Sequence, residues 1–202
     1  MEQVTFKLEG QSAYSQSGFL VAKKLDRETA DKYEARIWKT RMHATEPHVI
    51  ASDGTVSVSG MIVIPAMALK QALDAAAKYR SMSIPGQGKK TYTKCFTSGV
   101  LCSDGIVTDV EAATVKGEWI NANSDGIRGS GKRVRRCYPL IPSGWKAEAT
   151  VMILDEIITH DVFIEHLKLA GQLIGVGRFR PQNGGFNGRF KPSGFQWEEI
   201  KM

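Results

Sequence analysis

The residues with the clearest chemical potential lie near the end of the chain. Between positions 170 and 190, Gly175, Gly177, Gly184, Gly185 and Gly188 alternate with Arg178, Arg180 and Arg189 and with Phe179, Phe186 and Phe190. Glycine lets a backbone come close to a ligand and exposes its N–H groups, while a guanidinium forks onto phosphate oxygens. Aromatic rings set among such arginines can stack on unpaired bases. The pattern therefore predicts a loop that grips single-stranded nucleic acid, with Gly175, Gly177, Arg178, Phe179, Arg180, Arg189 and Lys191 as contact residues. The alternative is a glycine cap on a helix, followed by a turn whose phenylalanines are buried in the core.

Charge distribution points the same way. The 202-residue chain carries a net charge of +6, and residues 166–197 hold no Asp or Glu while Lys168, Arg178, Arg180, Arg189 and Lys191 fall among them. A second basic cluster holds Arg128, Lys132, Arg133, Arg135, Arg136 and Lys146, with Asp125 and Glu148 at its edges. Solvated surfaces usually mix signs, so two unmixed blocks suggest a phosphate track. Alternation along an extended arm would put Arg133 and Arg135 on one face.

Other chemistries fit poorly. The segment from Gly86 to Thr91 lacks the first glycine and the hydroxyl residue of a phosphate-binding P-loop, because Ser83 and Lys90 stand in those places. Gly175-Val176-Gly177 follows a helical pattern and has Arg180 at the third glycine position, unlike a dinucleotide-binding turn. His43, His48, His160 and His166 show no zinc-site spacing, and Cys95, Cys102 and Cys137 read as reduced thiols of a cytoplasmic protein. No cofactor is expected. No apolar run is long enough to span a membrane, and the N-terminal residues lack a secretion-signal pattern.

The elements that must position these groups read as an α+β fold. Residues 4–9 alternate apolar and polar, which suits a strand with one buried face, and residues 147–158 read as a convincing strand. A helix is expected over 27–42 with Asp26 as a cap. Another starts at Pro65, with Leu69, Ala72, Leu73, Ala76 and Ala77 on one face. Residues 95–120 read as strands with a turn at Ser103-Asp104-Gly105. A last helical stripe, Phe163, Leu167, Ala170 and Ile174, is capped by Thr159 or Asp161, and a short strand closes the chain near 194–200. This order suits an antiparallel sheet with helices on one face, of the ferredoxin-like or RRM kind. The expected organisation is one domain over 1–202 with insertions at 26–53 and 121–143.

Two stretches resemble a known family. The run from Ile64 to Leu73 resembles the I-P-x-x-x-L-K-x-x-L start of the first helix in the RAMP superfamily, and residues 175–190 resemble its glycine-rich loop. The nearest subgroup is the Cas7-like backbone proteins of CRISPR effector complexes, or a viral or mobile-element relative of them. The resemblance implies a modified RRM fold, with finger- or thumb-like insertions and side-by-side assembly along a guide RNA. It also puts Lys70 near the nucleic acid. The expected partners are single-stranded RNA or DNA and either further copies or other effector-complex subunits. The expected activity is binding without catalysis. Three alternatives remain: a DNA-binding or annealing protein, a capping or inhibitory partner of such a filament, and a metal-dependent endoribonuclease using Asp53.

Overall fold

The computed structural model describes residues 1–18, 22–123 and 131–200. In chain order the elements are β1 (Glu2–Gly10), β2 (Tyr14–Ser15), α1 (Ala30–Ile37), β3 (Val49–Ile50), β4 (Val56–Ser57) and β5 (Met61–Ile64). Then come α2 (Ala66–Arg80), α3 (Thr93–Gly99), β6 (Val100–Leu101), β7 (Ile106–Glu111), β8 (Lys116–Asn123) and β9 (Arg133–Ile141). The chain ends with β10 (Lys146–Ile153), α4 (His160–Leu169) and β11 (Phe190–Glu199). They form two compact units, one of Met1–Tyr14, Ile64–Asp109 and Pro142–Met202, the other of Ser15–Val63 and Val110–Ile141. Among the described residues no helix is long and apolar enough to cross a membrane.

The first unit is organised by a sheet with strand order β11–β1–β10–β7, with β6 beside β10. Taken as β1, α2, β6/β7, β10, α4 and β11, the chain follows a βαββαβ path. Its strands lie in the order fourth, first, third, second, which is the ferredoxin-like split βαβ arrangement. The pairs of β1 with β10 and β11, and of β10 with β6 and β7, are antiparallel.

Alternation decides which face is covered. Val4, Phe6 and Leu8 of β1 and Ala149, Val151 and Ile153 of β10 are buried. The ring of Phe6 lies 6.0 Å from that of Phe163 on α4, which stacks in turn on Phe96 of α3 at 6.5 Å. Burying a side chain of this size contributes roughly 1.5–3 kcal/mol. The expected stripe on α2 is buried as Leu69, Ala72, Leu73, Ala76 and Ala77, and Thr159 caps α4 by accepting the Val162 amide. On the other face Lys7 stands opposite Glu148 and Glu9 opposite Lys146, while the Thr5 and Thr150 hydroxyls meet at 3.1 Å. That face of β1, β10 and β11 carries no aromatic side chain.

Local differences from the sequence reading have physical causes. Residues 93–99, in a region read as strand, form α3 instead. Phe96 buries its ring against α4, and Lys70 Nζ donates to the Phe96 and Thr97 carbonyls near the helix end. The β10 strand ends at Ile153 rather than 158, where the Leu154 amide turns to the Gly99 carbonyl at 2.8 Å. Helix α1 begins after Thr29, whose hydroxyl accepts the Lys32 amide, and not after Asp26.

The second unit holds the sheet β2–β9–β8, the hairpin β3–β4 and α1. It contains all of 26–53 and most of 121–143. A buried charge network lies among its apolar residues. Arg41 donates through Nη1 to Glu34 at 2.8 Å and to the Cys137 carbonyl at 2.6 Å, and Arg136 donates to the same carboxylate at 2.9 Å. Burial works against the Glu34 carboxylate, yet the bonds from Arg41 and the Cys137 amide outweigh it and its pKa is lowered. In a second pair, Arg36 grips both oxygens of Glu28 and also the Gly54 carbonyl. The Arg36 hydrogen bond holds the Glu28 carboxyl down at about 2.

Candidate nucleic-acid interface

The glycine-rich segment is a closed loop on the first unit, stitched by its own backbone. Helix α4 passes into a π-helical turn, Ala170–Ile174, which ends where the Gly175 amide returns to the Ala170 carbonyl at 2.8 Å. The Val176 amide then donates to the Gly188 carbonyl at 3.0 Å, and the Asn187 amide to the Phe179 carbonyl at 3.0 Å. The Gly185 amide adds a bond to the Arg180 carbonyl at 3.1 Å. Outside the loop, Gly188 donates to the Ala13 carbonyl at 2.7 Å and the Arg189 amide to Ser12 Oγ at 2.9 Å. A Cβ on Gly185 would strike the Phe179 carbonyl, and one on Gly188 the Val176 carbonyl. These glycines are needed for closure, whatever else they do.

Closure presents the aromatic and basic side chains differently from one another. Phe186 is 76% exposed and Phe179 39%, whereas Phe190 begins β11 and is buried at 1%. Phe179 adopts φ +55°, a left-handed conformation that costs a non-glycine residue about 1 kcal/mol or more. Its carbonyl is held by Asn187, and the Arg178 guanidinium lies 4.6 Å from its ring centroid. Arg180 Nε donates to Gln182 at 3.1 Å and Arg189 Nε to the Gln172 carbonyl at 3.1 Å, and Lys191 is exposed on β11. Both guanidiniums have further N–H groups beyond these bonds.

Lys70 is placed otherwise. Its ammonium donates to Asp74 and to the Phe96 and Thr97 carbonyls, which uses three donors inside the first unit. A lysine so engaged holds α2 to α3.

The basic arm lies on the second unit. The β8–β9 register runs from Lys116 opposite Leu140 to Asn123 opposite Arg133, with Asn121 opposite Arg135. Arg133 and Arg135 therefore share a face with Trp119, and the Arg135 guanidinium lies 4.8 Å from the Trp119 ring centroid. Lys132 and Arg133 are exposed; Arg135 meets Asp31 at 3.5 Å and Arg136 meets Glu34. Arg128 lies outside the described residues. Trp119 was not singled out by sequence. The usable signal was register, since it lies diagonally across from Arg135 once 116–123 and 133–141 are paired.

The remaining reactive groups are occupied or buried. Asp53 Oδ1 accepts the Thr55 amide at 2.8 Å in the turn between β3 and β4, which lowers its pKa. Burial pushes the Cys102 thiol up to about 12 and that of Cys137 to about 11, and it raises Cys95 as well. Among the described residues no group of three His, Cys, Asp or Glu could hold a metal ion.

No protein-family model matches the chain, and no curated protein matches it by sequence. Solved structures show similarity over most of its length. One is described as Cmr6 from Pyrococcus furiosus, at 12% identity over 94% of this chain and 98% of that one, with a TM-score of 0.48. Another is a type IV-B CRISPR complex, at 10% identity over 95% and 89%, with a TM-score of 0.47. A third is a CRISPR RNA-guided surveillance complex, at 11% identity over 94% and 66%, with a TM-score of 0.35.

Proposed function

We propose that this chain binds single-stranded nucleic acid, RNA in the first instance, without cleaving it, and that copies assemble side by side along the strand. The observation that carries the reading is the closed 175–189 loop. It exposes Phe179 and Phe186 beside Arg178 and Arg180, in a stretch without acidic residues. Arginines so placed contact phosphate, and the exposed rings stack on bases irrespective of sequence. Because the open face of β1, β10 and β11 is a charge-balanced ladder without aromatics, the loop and not the sheet is the stacking platform. The resemblance of residues 64–73 and 175–190 to Cas7-like backbone proteins supports the same reading, and with it the assembly.

The test is a fluorescence anisotropy titration with labelled RNA and DNA strands of one sequence, comparing the parent with Arg178→Ala/Arg180→Ala. Loss of two phosphate contacts should weaken binding at least tenfold and cut the log–log salt slope by about 1.4. An unchanged affinity and slope would remove the loop as the binding site.

A further inference from the structure

Residues 75–103 form another stretch without Asp or Glu, and it holds Lys78, Arg80, Lys89, Lys90 and Lys94. Folding gathers these cations. Helix α2 ends at Arg80 and α3 begins at Thr93, whose hydroxyl donates to the Ala77 carbonyl at 3.4 Å. The connection between the two helices is closed by its own backbone. Its Tyr92 amide donates to the Met82 carbonyl at 3.1 Å, and its Ile84 amide to the Lys90 carbonyl at 2.9 Å. All five cations are exposed on the lobe that results.

The lobe stands apart from the glycine-rich loop. Arg80 Nε donates to Glu165 of α4 at 3.0 Å, and helical rise puts roughly 14 Å between Glu165 and Ile174, where the loop begins.

Folding accounts for only part of this charge. Lys78 and Arg80 occupy the last turn of α2, where a cation complements the helix dipole. Lys89, Lys90 and Lys94 have no acidic partner among the described residues. Lys94 even lies in the first turn of α3, where an acid would be favoured. Like charges held this close repel one another in the free protein, and a polyanion relieves that repulsion.

The surroundings say which polyanion. Gly86 and Gly88 take φ +74° and +63°, and a Cβ on either would meet nothing within 4 Å. Unlike Gly185 and Gly188, they leave a backbone open to a large ligand. Among the described residues between Lys78 and Lys94, Tyr79 is the one large apolar side chain exposed, at 67%. A protein interface needs an apolar, lysine-poor centre, and a grip on unpaired bases needs a series of rings. Lysines around an open glycine turn suit phosphates alone. A duplex offers that surface, because its bases are already stacked on each other inside.

We propose that the lobe from Lys78 to Lys94 binds the phosphate backbone of a nucleic-acid duplex, independently of sequence. This surface goes beyond the single-strand binding given above and needs none of the contacts of the glycine-rich loop, so either site can fail without the other.

The test is an anisotropy titration of the full chain with a labelled blunt-ended duplex and, separately, with a labelled single strand. The lobe variant is Lys89→Ala/Lys90→Ala, and Lys23→Ala/Lys24→Ala removes the same charge from the second unit. The lobe variant should lose roughly tenfold in duplex affinity and about 1.8 in log–log salt slope, with single-strand affinity and thermal midpoint close to the parent's. The second-unit variant and Arg178→Ala/Arg180→Ala should keep the parent's duplex affinity. Saturating unlabelled single strand should leave the duplex bound. A parent that ignores the duplex, an equal loss in the second-unit variant, or displacement by the single strand would each overturn the proposal. Polyglutamate that competes as well as unlabelled duplex would overturn it too, and would assign the lobe to an acidic polypeptide.

Discussion

Val176 and Gly188 close the glycine-rich loop at its neck: the Val176 amide donates to the Gly188 carbonyl at 3.0 Å, and Gly188 sits at φ +76° with no space for a Cβ beside the Val176 carbonyl. Everything between them, including Phe179, Arg180 and Phe186, is placed by that closure.

Gly188→Ala should therefore act on the loop before it acts on the core. Left-handed strain and the clash together should cost roughly 2–4 kcal/mol. Oligonucleotide affinity should fall at least tenfold although no contacting side chain has changed. Denaturant unfolding and anisotropy titration on the same preparation check both effects. A fully stable variant that binds normally would mean that the loop tolerates another closure.

The ion pairs of the second unit should differ sharply in weight. Glu34→Gln leaves the Arg41 guanidinium, 2% exposed, without its counter-charge and should destabilise by roughly 3–5 kcal/mol. Arg135→Ala breaks an exposed pair with Asp31 at 3.5 Å and should cost less than about 1 kcal/mol. Urea midpoints at pH 7 measure the difference. Equal effects would contradict the burial of the Arg41–Glu34 pair.

Stability should fall in acid in two stages. His166 is buried against Phe96, its ring centroid 4.5 Å away, with Glu165 and Arg80 also acting on it, and burial lowers its pKa. The unfolded chain therefore takes up a proton that the folded chain resists. The contribution is intact above the ordinary histidine value of about 6.5 and is lost as the pH drops below it. Glu28 and Glu34 have lowered pKa values, so their contribution is present above about 4.5 and disappears towards the folded value, about 2 for Glu28. Thermal midpoints from pH 8 to pH 3 should decline first below 6.5. His166→Phe should shrink that first stage, to which His43, its pKa also lowered by desolvation, contributes the remainder, and leave the second. A first stage of the same size in the variant would assign it elsewhere.

The sheet and its two long helices were legible because periodicity records them. Val4, Phe6 and Leu8 alternate, and Leu69, Ala72, Leu73 and Ala76 recur on one helical face, and both sets are buried. Helix α3 was not legible. Seven residues cannot establish a period, and Phe96 and the Lys70 ammonium fix it through partners distant in sequence. At the site, composition marked the loop, but exposure could not be read from it. Phe179, Phe186 and Phe190 look alike in sequence, while closure sends the first two outward and the third into β11. Lys70 had the spacing of a surface residue, and only the nearness of the α3 carbonyls turns it inward.

The first strand has a consequence for how the protein is made. β1 lies between β10 and β11, the last two strands of the sheet to be synthesised. At about 5–20 residues per second, a ribosome needs roughly 10–40 s to pass from the end of β1 to the start of β11 at residue 190. Until β10 emerges, Val4, Phe6 and Leu8 have no neighbouring strand in this sheet, and until β11 follows, one edge of β1 stays open to other nascent chains. A chaperone that shields the emerging β1 segment should raise the yield of folded protein, and slowing translation should lower it.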